Sequence, residues 1–92
     1  MELSKVKKIS KALADDNRLK VLLALGKQAS CLQCTDIYKM VDLAQPSVSH
    51  HMKQLLDADL VTYTKDGRHV RYNLNKEVLG DYISFLERLK DF

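Results

Sequence analysis

Apolar residues recur every three or four positions along most of this chain and every second position over one stretch, so the pattern predicts several helices and one strand pair. Leu3, Val6, Ile9 and Leu13 define an amphipathic helix over residues 3–13, with lysines on its wet side. Asp15, Asp16 and Asn17 interrupt it; aspartates here can cap the next helix and favour its positive end. Residues 18–25 follow, with Leu19, Leu22 and Leu23 on one face and Val21 and Leu25 on another, a helix expected to be buried nearly all round and closed by a left-handed Gly26. After a polar stretch over residues 27–33, Thr35 can cap a short third helix that carries Ile37, Met40 and Val41 on a shared face and stops near Leu43. Gln45-Pro46 opens a fourth, because a first helical turn tolerates proline's missing N–H, and this helix runs to about Ala58.

Residues 60–65 and 69–74 flank Asp66-Gly67, a dipeptide suited to the type I′ turn of a two-residue hairpin. Pairing Lys65 with Arg68 places Tyr63 opposite Val70 and Val61 opposite Tyr72, with Thr62 facing Arg71 and Thr64 facing His69. One face of the ribbon is then apolar and the other polar and basic. Asn75 can cap a last helix in which Val78, Leu79, Tyr82, Phe85, Leu86, Leu89 and Phe92 keep helical spacing, with Gly80 weakening it by about 1 kcal/mol. So large an apolar stripe at the end of a small chain points to a partner helix; the other cover open to it is the chain's own first helix.

Composition narrows the class. Ninety-two residues with 46% apolar and 29% charged side chains are expected to form one soluble domain spanning 1–92. A chain this short hides roughly 60–65% of its unfolded surface, so a second subunit is expected to add stability. Apolar runs such as residues 21–25 fall far short of the ~20 residues of a membrane span, and no secretory leader opens the sequence, so the expectation is a cytoplasmic protein without membrane contact. The net charge is +3, but residues 65–76 alone carry +3 (Lys65, Arg68, Arg71 and Lys76 against Asp66), and residues 1–11 carry the same. Polyanion binding is thus permitted without being demanded.

The predicted fold is mainly α with a two-stranded β-wing, in the order α-α-α-α-β-β-α, a winged helix-turn-helix. Residues 35–58 form the helix-turn-helix and residues 60–74 the wing. On the fourth helix Val48, Met52, Leu55 and Leu56 share one side, while Ser47, His50, Gln54 and Asp57 lie on the other. Gln45, Ser47, Ser49 and His50 offer the hydroxyls, amide and imidazole that read base edges in a major groove. Lys53 and the wing residues Lys65, Arg68 and Arg71 suit phosphates, with Arg68 beside the turn glycine best placed for a minor groove. His50 and His51 point about 100° apart and cannot chelate together, so DNA contact suits them better than a metal, and His69 falls on the polar face of the ribbon. No nucleophile elbow, acid–base relay or phosphate-cradling glycine loop occurs, so no enzyme is expected.

Leu13-Ala14-Asp15-Asp16-Asn17-Arg18-Leu19-Lys20-Val21-Leu22, the run from Gln45 to Leu55, Ala58-Asp59-Leu60-Val61, Lys65-Asp66-Gly67-Arg68 and Val70-Arg71-Tyr72-Asn73-Leu74 together resemble the ArsR/SmtB family of bacterial winged-helix repressors. The resemblance implies a homodimer formed by the first and last helices (residues 1–14 and 75–92), operator binding by the fourth helix, and release of double-stranded DNA when an inducer binds. It assigns base reading to Gln45, Ser47, Ser49 and His50 and the wing tip to Arg68. Ala44 departs from the serine the family often places there, a lost cap worth about 1 kcal/mol.

Members that sense metals through the last helix use Asp, His and Glu; here that helix has Glu77, Asp81 and Glu87 without a histidine, so no transition-metal site is expected on it. Cys31 and Cys34 instead lie where other members hold arsenic or soft metals at the start of the third helix, although the spacing is Cys-x-x-Cys. Thiolates near a helix N-terminus favour deprotonation, yet two sulfurs do not fill a tetrahedral site. A soft metal or metalloid ligand pair, a dithiol switch and inert thiols all stay open. The function expected is a dimeric transcriptional repressor; the alternative is a winged-helix protein-interaction module.

Overall fold

The computed structural model describes residues 1–27, 32–33 and 45–92 of the chain. Helix α1 (Leu3–Leu13) coincides with the predicted first helix, burying Ile9 and Ala12 and half-burying Val6 and Leu13, while Leu3 stays exposed. Helix α2 (Asp16–Lys27) begins where the Asp15 carboxylate accepts the backbone N–H of Arg18 at 3.0 Å, a side-chain cap that satisfies one of the helix's orphan donors.

Two expectations about α2 need correction. Gly26 does not close it in a left-handed conformation: among the described glycines only Gly67 has positive φ, and the helix runs on to Lys27. The helix is also not buried nearly all round, since Val21 and Leu25 are buried but Leu23 is 62% exposed. Its apolar residues spread over more of the circumference than the neighbouring elements cover. The expected third helix and the connection over residues 42–44 lie outside the described residues.

Helix α3 (Gln45–Asp57) is the predicted fourth helix. Its end has a specific device. Asp59 takes φ 58°, its N–H donates to the Leu56 carbonyl at 2.9 Å, and the N–H of Leu60 donates to the Leu55 carbonyl at 3.1 Å. This pair of bonds is a Schellman ending, with Asp59 at the left-handed position and the fully buried Leu55 and Leu60 supplying the apolar contact that accompanies it. Aspartate tolerates that conformation better than most residues, and its carboxylate also pairs with the Lys5 ammonium of α1.

Strands β2 (Val61–Asp66) and β3 (His69–Leu74) form the wing. A short strand β1 (Leu32–Gln33), absent from the sequence prediction, adds to β3, giving the order β1-β3-β2 with all pairs antiparallel. Two residues carry no readable alternation, which is why the pattern misses it.

The hairpin register also differs from expectation: Asp66 pairs with His69, Lys65 with Val70, Thr64 with Arg71, Tyr63 with Tyr72 and Val61 with Leu74. The loop is therefore Gly67-Arg68 and not Asp66-Gly67. Glycine at the first central position with φ +64° and no positive φ at Arg68 is the arrangement of a type II′ turn, not type I′. Each partner moves by two residues, so the division into two faces survives.

Helix α4 (Lys76–Lys90) starts at Asn75, whose side chain accepts the N–H of Val78 at 3.3 Å. One core unites Ile9, Ala12, Val21, Leu25, Val48, Met52, Leu55, Ala58, Leu60 and Val61, with Leu74, Val78, Leu79 and Tyr82 packed against it. No residue of α4 is fully buried; Ile83, Leu86 and Leu89 are exposed, as is Phe92 beyond its end. The Ser10 and Tyr82 hydroxyls, 2.8 Å apart, tie α4 to α1.

Leu55→Ala removes a side chain that is both core and helix ending, and is expected to lower unfolding free energy by about 2–5 kcal/mol. Asn75→Ala, which removes only a cap, is expected to cost about 1 kcal/mol. Urea denaturation monitored by circular dichroism measures both.

Candidate nucleic-acid interface

Helix α3 divides as its sequence dictates. Val48, Met52 and Leu55 are buried against α1, α2 and the wing, and Leu56 is half-buried. Ser47, Ser49, His50, Lys53 and Asp57 are exposed, and Gln54 is half-buried. At about 100° per residue these polar positions cover one continuous arc, with Ser49 and Lys53 at its wing side, His50 near the middle and Gln54 and Ser47 toward α1. Gln45 lies in the first turn of α3; its side chain is outside the described set.

The edges of the arc differ in surroundings. Ser49, Lys53, Leu56 and Asp57 share a recess of about 200 Å³ with Tyr72, so the Tyr72 face of the wing is the one that meets α3. Strand alternation therefore puts Arg71, which is half-buried, on the sheet face turned away from α3 together with Thr62, Thr64 and His69. On the α1 side, Gln54 and Asp57 border a recess of about 300 Å³ with Lys8 and Lys11.

Arg68 and Lys65 are exposed at and beside the wing tip. Among the described residues Lys5 pairs with Asp59, and none of Lys53, Lys65, Arg68 and Arg71 has an acidic partner. The structure thus gathers Ser47, Ser49, His50 and Lys53 on one open surface, sets Arg68 at a separate prominence, and places Arg71 behind it.

His51 does not share the exposed surface of His50, contrary to the pairing of the two as DNA contacts. Its side chain is 16% exposed, and Nδ1 lies 3.1 Å from Arg18 Nη1 and 3.7 Å from Asp15 Oδ2. The two imidazoles sit 5.9 Å apart between centroids at 57°, each on its own side of the helix. Arg18 is the residue that sequence reasoning missed, because a charged residue on an amphipathic helix reads as solvated and its partner lies 33 positions away.

Cys31 and Cys34 lie outside the described residues. Among the described residues no cluster of three or more His, Cys, Asp or Glu side chains is arranged to hold a metal ion, and no helix is long and apolar enough to cross a membrane.

An exposed polar arc on α3, beside a basic hairpin, is the arrangement of a winged-helix DNA-binding protein. A helix-turn-helix domain family matches residues 13–64. The chain is 39% identical over 88 residues to the arsenical resistance operon repressor of Staphylococcus aureus, covering 94% of this chain and 81% of that protein. It is 40% identical over 86 residues to its Staphylococcus xylosus counterpart, covering 91% and 78%. A crystal structure of an ArsR family transcriptional regulator superposes with a TM-score of 0.88 at 25% identity, covering 99% of this chain and 92% of that one. The chain belongs to the ArsR/SmtB family of winged helix-turn-helix repressors and is a DNA-binding transcriptional repressor, not an enzyme.

The backbone N–H of Arg18 holds the Asp15 carboxyl below its ordinary pKa against the opposing effect of burial, with lesser help from the Arg18 guanidinium. A depressed carboxyl pKa contributes stability that is fully present above the unfolded value, about 3.9, and is lost as pH falls through the lower folded value. Asp15→Asn keeps a capping oxygen but does not titrate. Its stability is expected to change less than that of the parent between pH 7 and pH 3, as measured by denaturant titration at each pH.

Proposed function

We propose that the chain acts as a homodimer in which each α3 enters a major groove of an operator and each wing reaches toward the flanking backbone. Ser47, Ser49 and His50, with Gln54 in the same arc and Gln45 in the first turn of α3, read base edges; Lys53 and Arg71 contact phosphates, and Arg68 approaches the minor groove. The observation that carries this reading is the exposure of Ser47, Ser49 and His50 on a helix whose opposite side is buried at Val48, Met52 and Leu55. Dimerisation draws support from the apolar residues exposed on α4 and at Leu3, and from a Mycobacterium bovis winged helix-turn-helix domain, a possible ArsR-family regulator described as homodimeric, which superposes with a TM-score of 0.73 at 21% identity.

A duplex enriched from a randomised pool by the wild-type protein, compared with a scrambled duplex of equal length, tests the reading. Ser49→Ala and His50→Ala are expected to lower the enriched-to-scrambled affinity ratio about tenfold, whereas Arg68→Ala weakens both duplexes alike. Affinity for both falls steeply with salt, and sedimentation gives a dimer. Unchanged affinities in all three variants, or a monomer indifferent to duplex, would instead fit the interaction-module alternative.

The inducer we propose is a thiophilic metal or metalloid held by Cys31 and Cys34. Two thiols three positions apart offer soft donors, and similar proteins are named for arsenical resistance. Arsenite, cadmium or zinc added to the reduced protein–duplex complex is expected to release wild type but not the Cys31→Ser, Cys34→Ser double variant. Equal release of both excludes these thiols as the sensor, and release by an oxidant alone assigns them to a dithiol switch.

A further inference from the structure

Arg18 stands where three helices meet. Its Nε donates to the Ala12 carbonyl at 2.7 Å and its Nη2 to the Lys11 carbonyl at 3.1 Å, both in the last turn of α1, where the Lys11 carbonyl also accepts the N–H of Ala14. Its Nη1 reaches His51 Nδ1 on α3 at 3.1 Å. A guanidinium has donors only, so Nδ1 is the acceptor and carries no proton in this contact.

We propose that Arg18 is a positioning residue for DNA recognition: through His51 it sets the rotation of α3 about its own axis, and with it the angle at which Ser47, Ser49 and His50 present themselves to base edges. The inference rests on the reading of α3 as the DNA-facing helix. The apolar stripe decides which side of α3 faces inward, but burial itself is non-directional. A hydrogen bond to a side chain itself fixed at two backbone carbonyls is directional and supplies the missing constraint.

The contact exists only while Nδ1 is bare. A proton there replaces the acceptor with an N–H aimed at a guanidinium, leaving Asp15 Oδ2, 3.7 Å away, as the alternative partner. Among the described residues, the charged and titratable groups around His51 are Arg18 and Asp15 at the α1–α2 corner and His50 on α3 itself; Lys8 and Lys11 of α1 border the following turn beside Gln54 and Asp57, and β2 presents the apolar Val61 to the shared core.

The test uses the duplex enriched by wild-type protein and its scrambled control. Wild type, His51→Asn, His51→Phe and Arg18→Lys are compared, with thermal melts identifying the folded variants. Asparagine places an amide oxygen near the position of Nδ1 and so restores an acceptor for Arg18. His51→Asn is expected to keep the enriched-to-scrambled ratio within about threefold of wild type. His51→Phe and Arg18→Lys lose about tenfold, the scale of one hydrogen bond to a charged group. A folded His51→Phe that retains the ratio, or a folded His51→Asn that loses it as His51→Phe does, overturns the role of Arg18 alone. Failure of wild type to enrich any sequence overturns the reading of α3, and this inference with it.

Discussion

Burial of Val48, Met52 and Leu55 is the constraint on which the remaining architecture depends. Each of these side chains contributes roughly 1.5–3 kcal/mol when removed from water, and together they clamp one side of α3 onto Ile9, Val21, Leu25 and Val61. A helix held along one stripe has its other side left over, and here that side carries small hydroxyls, an imidazole and a lysine in place of long apolar chains. The surface presented to DNA is thus the complement of the surface needed for folding. The two ends of the protomer reinforce the clamp: Lys5 holds the left-handed Asp59 just past α3, and the Leu60 carbonyl accepts the N–H of Asn75 at 2.8 Å, joining the exit of α3 to the start of α4.

Charge is used sparingly. With a net charge of +3, the protein carries no large excess of positive charge; it places cations without acidic partners among the described residues at Lys53 and along the wing, around a helix that presents small polar groups. Such a division separates general attraction from discrimination. It also leaves the opposite end of the molecule free for apolar association, since α4 directs Ile83, Leu86 and Leu89 outward.

Features set by near neighbours were legible in the sequence, and features set by distant ones were not. Helix α1, the Asp15 and Asn75 caps and both sides of α3 follow from spacing and side-chain chemistry within a few residues. The wing's two faces were legible too, because alternation survives a two-residue slip, but its register depended on whether Gly67 is the first or second residue of the turn. Strand β1 is too short to carry a pattern. Asp59 occupies a position usually given to glycine, so the helix ending had no recognisable marker. The Arg18–His51 contact joins residues that only the packing of α3 on the α1–α2 corner brings together.

Amide chemical-shift changes, mapped by nuclear magnetic resonance as the protein is titrated with an enriched duplex, report residue by residue which surface meets DNA. Changes concentrated at residues 47–54 and at Gly67 and Arg68, with α4 unaffected, are expected if the polar side of α3 and the wing tip face the duplex. Changes confined to α1 and α4, with the polar arc of α3 silent, would contradict that placement.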